Sequence, residues 1–261
     1  MIQIYYKPGW EVHEVIKPIF NRYERKYIIT TKQKNDLVSF ISEHLISDPY
    51  SINGTPYTIY NIYYDTHDFS IIRNSIQKPT YKDKLRLRTY TFPLKDDSLV
   101  FLEIKKKFEG RINKRRVNLT YKQAKEYMES GIKPVFETYI DNQIMNEIDY
   151  FIKIHKAKPG AFIRYDRIAY MSDSDALRIT FDHQILFRNE NIDFTKDDGH
   201  PILSSKDLYL MEVKSEDNFP FWLARKLSEY ELYSQSFSKY GKAYHQYLLG
   251  GSTDDYILYH Y

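Results

Sequence analysis

Four consecutive residues, Leu85-Arg86-Leu87-Arg88, carry the plainest chemical signal in the chain. In an extended strand successive side chains point to opposite faces, so the two leucines share one side and the two guanidiniums the other. The alternation recurs. Leu102 and Ile104 oppose Glu103 and Lys105; Leu177 and Ile179 oppose Arg178, Thr180 and Asp182; Met211 and Val213 oppose Glu212 and Lys214. Arg22, Glu24 and Lys26 share a face, as do Lys114 and Arg116. On these positions cations outnumber acids nine to four, although the whole chain is only +3. An ordinary solvated sheet face carries Lys and Glu in rough balance. An arginine-rich excess that faces an interior repels itself and is costly to desolvate, so it persists only where an anion fills the space. A triphosphate or longer phosphate chain suits that lining, because guanidiniums grip phosphate oxygens bidentately and lysines act as point charges.

Two further groups fit such a ligand. Mg²⁺ or Mn²⁺ takes one or two carboxylates together with phosphate oxygens. Glu212, on the same face as Lys214, fits that role, with Glu103 a weaker candidate and Glu24 a further one; on the residues alone an ion pair with neighbouring arginines is the stronger reading of Glu212. Ser236-Phe-Ser-Lys-Tyr-Gly241 opens a helix whose free N–H groups favour an anion. There Ser238 is either a plain N-cap or a phosphate contact, with Lys239 beside it.

The elements that position these residues follow from periodicity. Two-residue alternation predicts strands near 22–29, 57–65, 84–92, 99–107, 113–118, 162–170, 176–182, 184–188 and 208–214. Helices are predicted from Thr30 or Thr31 to about Ile46, from Thr120 to near Gly131, over 135–156, and after Pro220 and Ser238. Trp222, with Phe219, Phe221 and Leu223, anchors one of these to the outside of the sheet, and the 26 tyrosines are read as packing at strand edges. In strand 162–170 parity leaves two choices, Arg164 with Asp166 or Tyr165 with Arg167 facing inward. The pattern is that of one α+β domain spanning 1–261, with its core at about 22–245. If the sheet closes with its apolar side outward beneath the helices, the charges line the inside.

Other chemistries are excluded or weak. The chain has no cysteine, so disulfides, thiolate nucleophiles and Cys-ligated metal do not arise. No His-x-x-x-His spacing, phosphate-binding Gly-Lys-Ser/Thr loop or Gly-x-Gly-x-x-Gly is present. The turn after strand 57–65 accounts for His67 and its acidic neighbours. No run approaches the roughly 18 apolar residues of a membrane span, and the first residues lack a secretory pattern; the expected location is the cytoplasm.

Nine stretches extend the argument: Arg22-Tyr-Glu-Arg-Lys-Tyr27, Tyr63-Tyr-Asp-Thr66, Lys84-Leu-Arg-Leu-Arg-Thr-Tyr90, Phe101-Leu-Glu-Ile-Lys105, Lys114-Arg-Arg116, Tyr165-Asp-Arg-Ile-Ala-Tyr170, Leu177-Arg-Ile-Thr-Phe-Asp182, Met211-Glu-Val-Lys214 and Ser236-Phe-Ser-Lys-Tyr240. In this order they resemble the VTC domain, the polyphosphate polymerase branch of the triphosphate tunnel metalloenzymes. The resemblance implies an eight-stranded antiparallel β-barrel tunnel with helices packed outside. In it Mn²⁺ or Mg²⁺ and basic side chains hold ATP, whose γ-phosphate passes to a growing polyphosphate chain. It implies Lys26, Arg86, Arg88, Lys105, Lys114, Arg167, Arg178 and Lys239 as phosphate-binding residues, Glu212 as metal ligand, and Tyr165 and Ser238 as polar phosphate contacts. Arg22, Arg116 and Lys214 join the substrate-binding set from their strand faces. Related tunnel hydrolases begin with Glu-x-Glu-x-Lys; here Arg22 replaces the first acid, which favours the polymerase branch. A tripolyphosphatase or nucleoside triphosphatase, and a non-catalytic polyanion-binding module, are the alternatives. Nucleic acid is not an expected partner, since base stacking needs aromatics on the basic face; association with a membrane is expected only through a partner protein.

Overall fold

The computed structural model describes residues 23–51, 54–109, 111–174, 176–216 and 218–249. Ten strands form one antiparallel sheet: β1 (Tyr23–Thr30), β2 (Ile46–Ser47), β3 (Tyr57–Asp65), β4 (Tyr81–Thr89), β5 (Leu99–Phe108), β6 (Arg111–Thr120), β7 (Lys158–Met171), β8 (Leu177–Arg188), β9 (His200–Pro201) and β10 (Leu208–Ser215). The main path is β1-β10-β8-β7-β3-β4-β5-β6, with β2 added to β7 and β9 to β8.

Helices α1 (Thr31–Ile41), α2 (Ser70–Ile76), α3 (Tyr121–Ser130), α4 (Tyr139–His155), α5 (Phe221–Glu229) and α6 (Lys239–Ala243) complete the fold, and α6 runs on into a π-helical turn, Tyr244–Leu248. The predicted starts of α1 and α3 hold: Thr30 and Thr120 each close a capping box with the glutamine three residues on. α1 stops at Ile41, and the chain then enters β2. α4 starts later than periodicity suggested because Thr138 accepts from Asp141 N–H and fixes the first turn there.

The apolar side of the sheet lies under the helices. Leu85, Leu87, Leu102, Ile104 and Val117 pack beneath Tyr127 of α3 and Ile144, Met145 and Ile148 of α4. Tyr27, Ile29, Ile179, Phe181, Met211 and Val213 pack beneath Leu37 and Ile41 of α1 and Leu223 and Leu227 of α5. Trp222 packs against this second cluster, as expected, and its ring stacks on His44 at 4.3 Å, whereas Phe221 faces solvent. The opposite face carries the charges, and the chain from Gln235 to Ala243 lies against it. Lys26 of β1 donates to Phe237 O (2.8 Å), Lys84 of β4 to Ser238 Oγ (3.3 Å), Lys239 to Asp182 of β8 (2.6 Å), and Tyr240 to Asp65 of β3 (2.9 Å). One short segment can touch all four strands only if the sheet curls around it.

The closed barrel expected from sequence is not reached. No hydrogen-bonded pairing joins β1 to β6 among the described residues, and the sheet remains open. Charged side chains nevertheless interact across the inside of the curled sheet, Lys105 of β5 with Glu24 of β1 and Glu212 of β10.

Two other departures are local. The predicted strands 176–182 and 184–188 are one strand, β8, which passes through a bulge with Gln184 at φ +46° and a register shift against β7. The shift turns Ile185 and Phe187 to the inner face, where they join Ile59, Ile163, Leu210 and Phe237 in an apolar plug. Helix α2 has no side-chain N-cap of its own. Asp65 takes that part from a distance, accepting from Ile71 N–H (3.0 Å) and Ile72 N–H (3.1 Å), so the strand end β3, α2 and Tyr240 share one carboxylate. No helix among the described residues is long and apolar enough to cross a membrane.

Candidate functional site

The inner face organises its charges into ion-pair groups. In the first, Glu103 of β5, 1% exposed, is gripped by three cations from the flanking strands: Arg86 Nη2 at 2.5 Å, Lys114 Nζ at 3.0 Å and Arg88 Nε at 4.0 Å. Register places them together, since Arg86 and Arg116 are the direct partners of Glu103 and Lys114 faces Lys105. Burial would raise the Glu103 pKa, but Arg86, Lys114 and Arg88 outweigh it and hold the carboxyl well below its ordinary range. Arg88 also donates to Asn61 Oδ1 (2.9 Å) and to the Tyr165 hydroxyl (3.2 Å), and Arg86 to the Tyr63 hydroxyl (3.4 Å).

The second group centres on Asp182 of β8, which binds Arg167 bidentately (2.6 and 2.8 Å) and Lys239 of α6 (2.6 Å). Lys239 Nζ and the Arg167 guanidinium lie 4.3 and 5.2 Å from the centre of the Tyr165 ring. Burial favours the neutral phenol there, yet Arg88, Arg167 and Lys239 draw the Tyr165 pKa below its usual value. The parity left open by sequence is thereby resolved: Tyr165 and Arg167 face inward, while Arg164 pairs with Asp166 and Asp197 on the other side.

In the third group Glu24 and Glu212 share Lys26 and Lys214. Lys26 lies 3.0 Å from Glu24 and 3.8 Å from Glu212; Lys214 lies 2.5 Å from Glu212 and 3.9 Å from Glu24. Burial and mutual repulsion push the Glu24 pKa up, but the lysines win and bring it to about 2; Glu212 is also held well below the ordinary range. Opposite Glu212 in register sits Thr180, 2% exposed, whose Oγ1 has no hydrogen-bond partner among the described residues. An orphaned buried hydroxyl costs roughly 1–3 kcal/mol, so this position is unfinished without a ligand or water.

Sequence reasoning therefore located most of this face. Lys26, Arg86, Arg88, Lys105, Lys114, Tyr165, Arg167, Asp182, Glu212 and Lys239 come together on it. Arg178 is on the same face but bound to Asp48 at 2.6 Å, a partner from the turn after β2. The Arg116 guanidinium lies 4.7 Å from the Phe101 ring centre. Ser238 is a true N-cap, accepting from Gly241 N–H (3.2 Å). Arg22 lies outside the described residues. The three carboxylates proposed for metal do not form one cluster: Glu103 belongs to the arginine group, apart from Glu24 and Glu212, and no group of three metal-binding side chains occurs among the described residues. The reason is electrostatic, since Arg86, Arg88 and Lys114 occupy the oxygens of Glu103.

Lys84 is a further member of this face that the alternation from Leu85 to Arg88 already implies. It is on the inner face two residues before Arg86, directly paired with Lys105. Burial, aggravated by Lys105, Lys82 and Lys26, lowers its pKa to about 7. Below that value it is charged and attracts an anion; above it the charge is lost. Tripolyphosphate affinity is thus expected to fall as pH rises through about 7. Calorimetric titration across that range checks it, and Lys84→Gln should flatten the profile; an affinity that rises with pH in both proteins would overturn the assignment.

A solved candidate adenylate cyclase from Bacillus halodurans has a similar fold, with a TM-score of 0.52 and 16% identity over 84% of this chain and 95% of its own. A chain of the Schizosaccharomyces pombe Mediator head module overlaps less well, with a TM-score of 0.42 and 8% identity over 80% of this chain and 90% of that one. No curated protein matches the sequence. The model of the VTC domain matches residues 21–248, nearly the whole chain, and the protein belongs to that family.

Proposed function

We propose that the chain is a metal-dependent polyphosphate polymerase that transfers the γ-phosphate of ATP to a growing phosphate chain. The observation that carries this reading is the meeting of Arg86, Arg88, Lys105, Lys114, Arg167 and Lys239 on one inner face, from strands β4 to β7 and from α6. A pure packing role does not call for so many cations turned to one inner face, where they outnumber the carboxylates among them. The curled sheet is read as a tunnel, with the β1 and β6 edges facing each other across the ligand.

Phosphoryl transfer asks the protein mainly for in-line positioning and for neutralisation of charge on the transferred group. Arg86 and Arg88, braced by Glu103, Asn61 and Tyr63, present guanidiniums of fixed orientation to phosphate oxygens. Arg167 and Lys239 do the same from the other wall, braced by Asp182. The terminal oxygen of the acceptor chain attacks the γ-phosphorus, the bond to the β–γ bridging oxygen breaks, and ADP leaves with the electron pair. Glu24 and Glu212 fit Mn²⁺ or Mg²⁺: both are ionised oxygen donors sharing the same two lysines, and the unsatisfied Thr180 hydroxyl opposite Glu212 adds a further oxygen. When bound, the ion supplies charge neutralisation and orientation to the phosphate oxygens. Glu103 is assigned to orient arginines.

Incubating the purified protein with ATP and Mn²⁺ or Mg²⁺ and resolving the products on a gel tests the proposal. Polyphosphate ladders support it; inorganic phosphate without chain growth points to a hydrolase on the same site; binding without turnover points to a polyanion-binding module. Arg86→Ala and Arg178→Ala are each expected to weaken triphosphate binding by about 1.5–3 kcal/mol, the loss of a charged hydrogen bond. Unchanged affinity in both would mean that this face does not hold the triphosphate.

A further inference from the structure

At one end of the inner face the lining changes from charged to aromatic. β3 runs from Tyr57 to Asp65, and Asp65 is tied to α6; Tyr57 is therefore at the end away from that segment. There Tyr50, Tyr57, Tyr90 and Phe101 form a continuous set of rings. Tyr50 lies 5.8 Å from Tyr57 and 6.2 Å from Tyr90, the latter nearly parallel at 11°. Tyr57 is 6.2 Å from Tyr90, and Tyr90 meets Phe101 edge-on at 5.6 Å. A cluster that served only packing would be covered, yet Tyr50 is 47% exposed and Tyr90 40%.

The rings adjoin the cations of the site. Arg88, which also holds Tyr165, lies 6.0 Å from the Tyr90 ring centre, and Arg116 lies 4.7 Å from that of Phe101. Tyr57 faces Arg167 in register and interacts electrostatically with Arg178. An inorganic phosphate chain has no apolar part and gives such rings nothing to do. A ligand that joins a flat aromatic group to a polyanion matches both halves, since nucleobases stack on tyrosine faces and their phosphates suit arginine.

We propose that Tyr50, Tyr57, Tyr90 and Phe101 form a nucleobase platform at the mouth of the phosphate-binding face. It rests on the nucleotide-dependent function proposed above and makes the protein prefer nucleoside triphosphates over inorganic triphosphate. The base lies on the exposed face of Tyr50 or Tyr90, with its triphosphate running inward past Arg88 and Arg167.

ATP and tripolyphosphate, each with Mg²⁺, separate the two halves because they share the triphosphate and differ in the nucleoside. Calorimetric titration of Tyr50→Ala and Tyr90→Leu should raise the Kd for ATP about tenfold, as expected for a lost base stack, and leave that for tripolyphosphate unchanged. Equal losses for both ligands, or no loss for ATP, overturn the platform. A wild-type protein that binds neither ligand overturns the phosphate site itself, whereas one that binds tripolyphosphate while the variants bind ATP normally overturns only the platform. Tyr50→Ala, in an exposed turn, keeps the test usable if Tyr90→Leu fails to fold.

Discussion

Glu212→Gln is expected to lower turnover of ATP by at least about 100-fold while ATP still binds. The two parts of that result have separate causes. The substitution keeps the side-chain volume and removes one of the two carboxylates that Lys26 and Lys214 share. The lysines are left with less compensation, so an anion entering the site is held at least as well. In the proposed metal site one of the two carboxylate donors is lost, and loss of metal-derived charge stabilisation costs several kcal/mol in the transition state. Steady-state rates with Mn²⁺ or Mg²⁺, alongside a calorimetric Kd for ATP, check both halves. Retained turnover would remove Glu212 from the reaction, and joint loss of binding and turnover would make it a structural residue.

The second large effect falls on stability. Glu103→Gln leaves Arg86, Arg88 and Lys114 facing a neutral amide at a position 1% exposed. Breaking a buried ion pair from one side costs about 3–5 kcal/mol where the remaining charge stays buried; Arg88 does, whereas Arg86 and Lys114 keep partial contact with solvent, so a loss near the lower end, about 3 kcal/mol, is expected. Urea unfolding of the variant should show that loss, with a lower midpoint and an unchanged slope. Saturating tripolyphosphate should restore part of it, more than it adds to the wild-type protein, since the ligand binds only the folded state and supplies the missing negative charge. An unchanged midpoint would mean that the three cations find other partners.

These two glutamates also show what sequence could reveal. Period-two alternation separated Leu85 and Leu87 from Arg86 and Arg88, and Leu102 and Ile104 from Glu103 and Lys105, because a residue's face depends only on its parity in a straight strand. Parity says nothing of which cation meets which acid, and Glu103 was accordingly grouped with Glu24 and Glu212. The division between them comes from strand order, which puts β5 between the arginines of β4 and the lysine of β6. Asp48 was invisible as the partner of Arg178, since it lies in a turn and reaches the site only in three dimensions. Gln184 shows the limit of parity itself: one residue at positive φ reverses the faces beyond it, so Ile185 and Phe187 appear on the inside. α2 has no sequence signature because its first N–H groups are taken by Thr66 and Asp65, at the end of β3, rather than by a side chain at the N-cap position. Tyr57, Tyr90 and Phe101 share the basic face, which a reading of the tyrosines as packing at strand edges does not foresee.

The partition of ion pairs along the sequence also bears on how the molecule assembles. The contacts of Glu103 with Arg86 and Lys114 join neighbouring strands of a meander, which can form from a short stretch of chain. The group of Glu24, Lys26, Glu212 and Lys214 joins the first strand to the last, and the bond from Lys26 to Phe237 spans 211 residues. Contacts of such separation carry the largest loop-closure entropy and form slowly. The arginine wall is thus expected to form, with its charges balanced, before the glutamate wall, so that the inner face is complete only once the longest-range contacts of the fold are made.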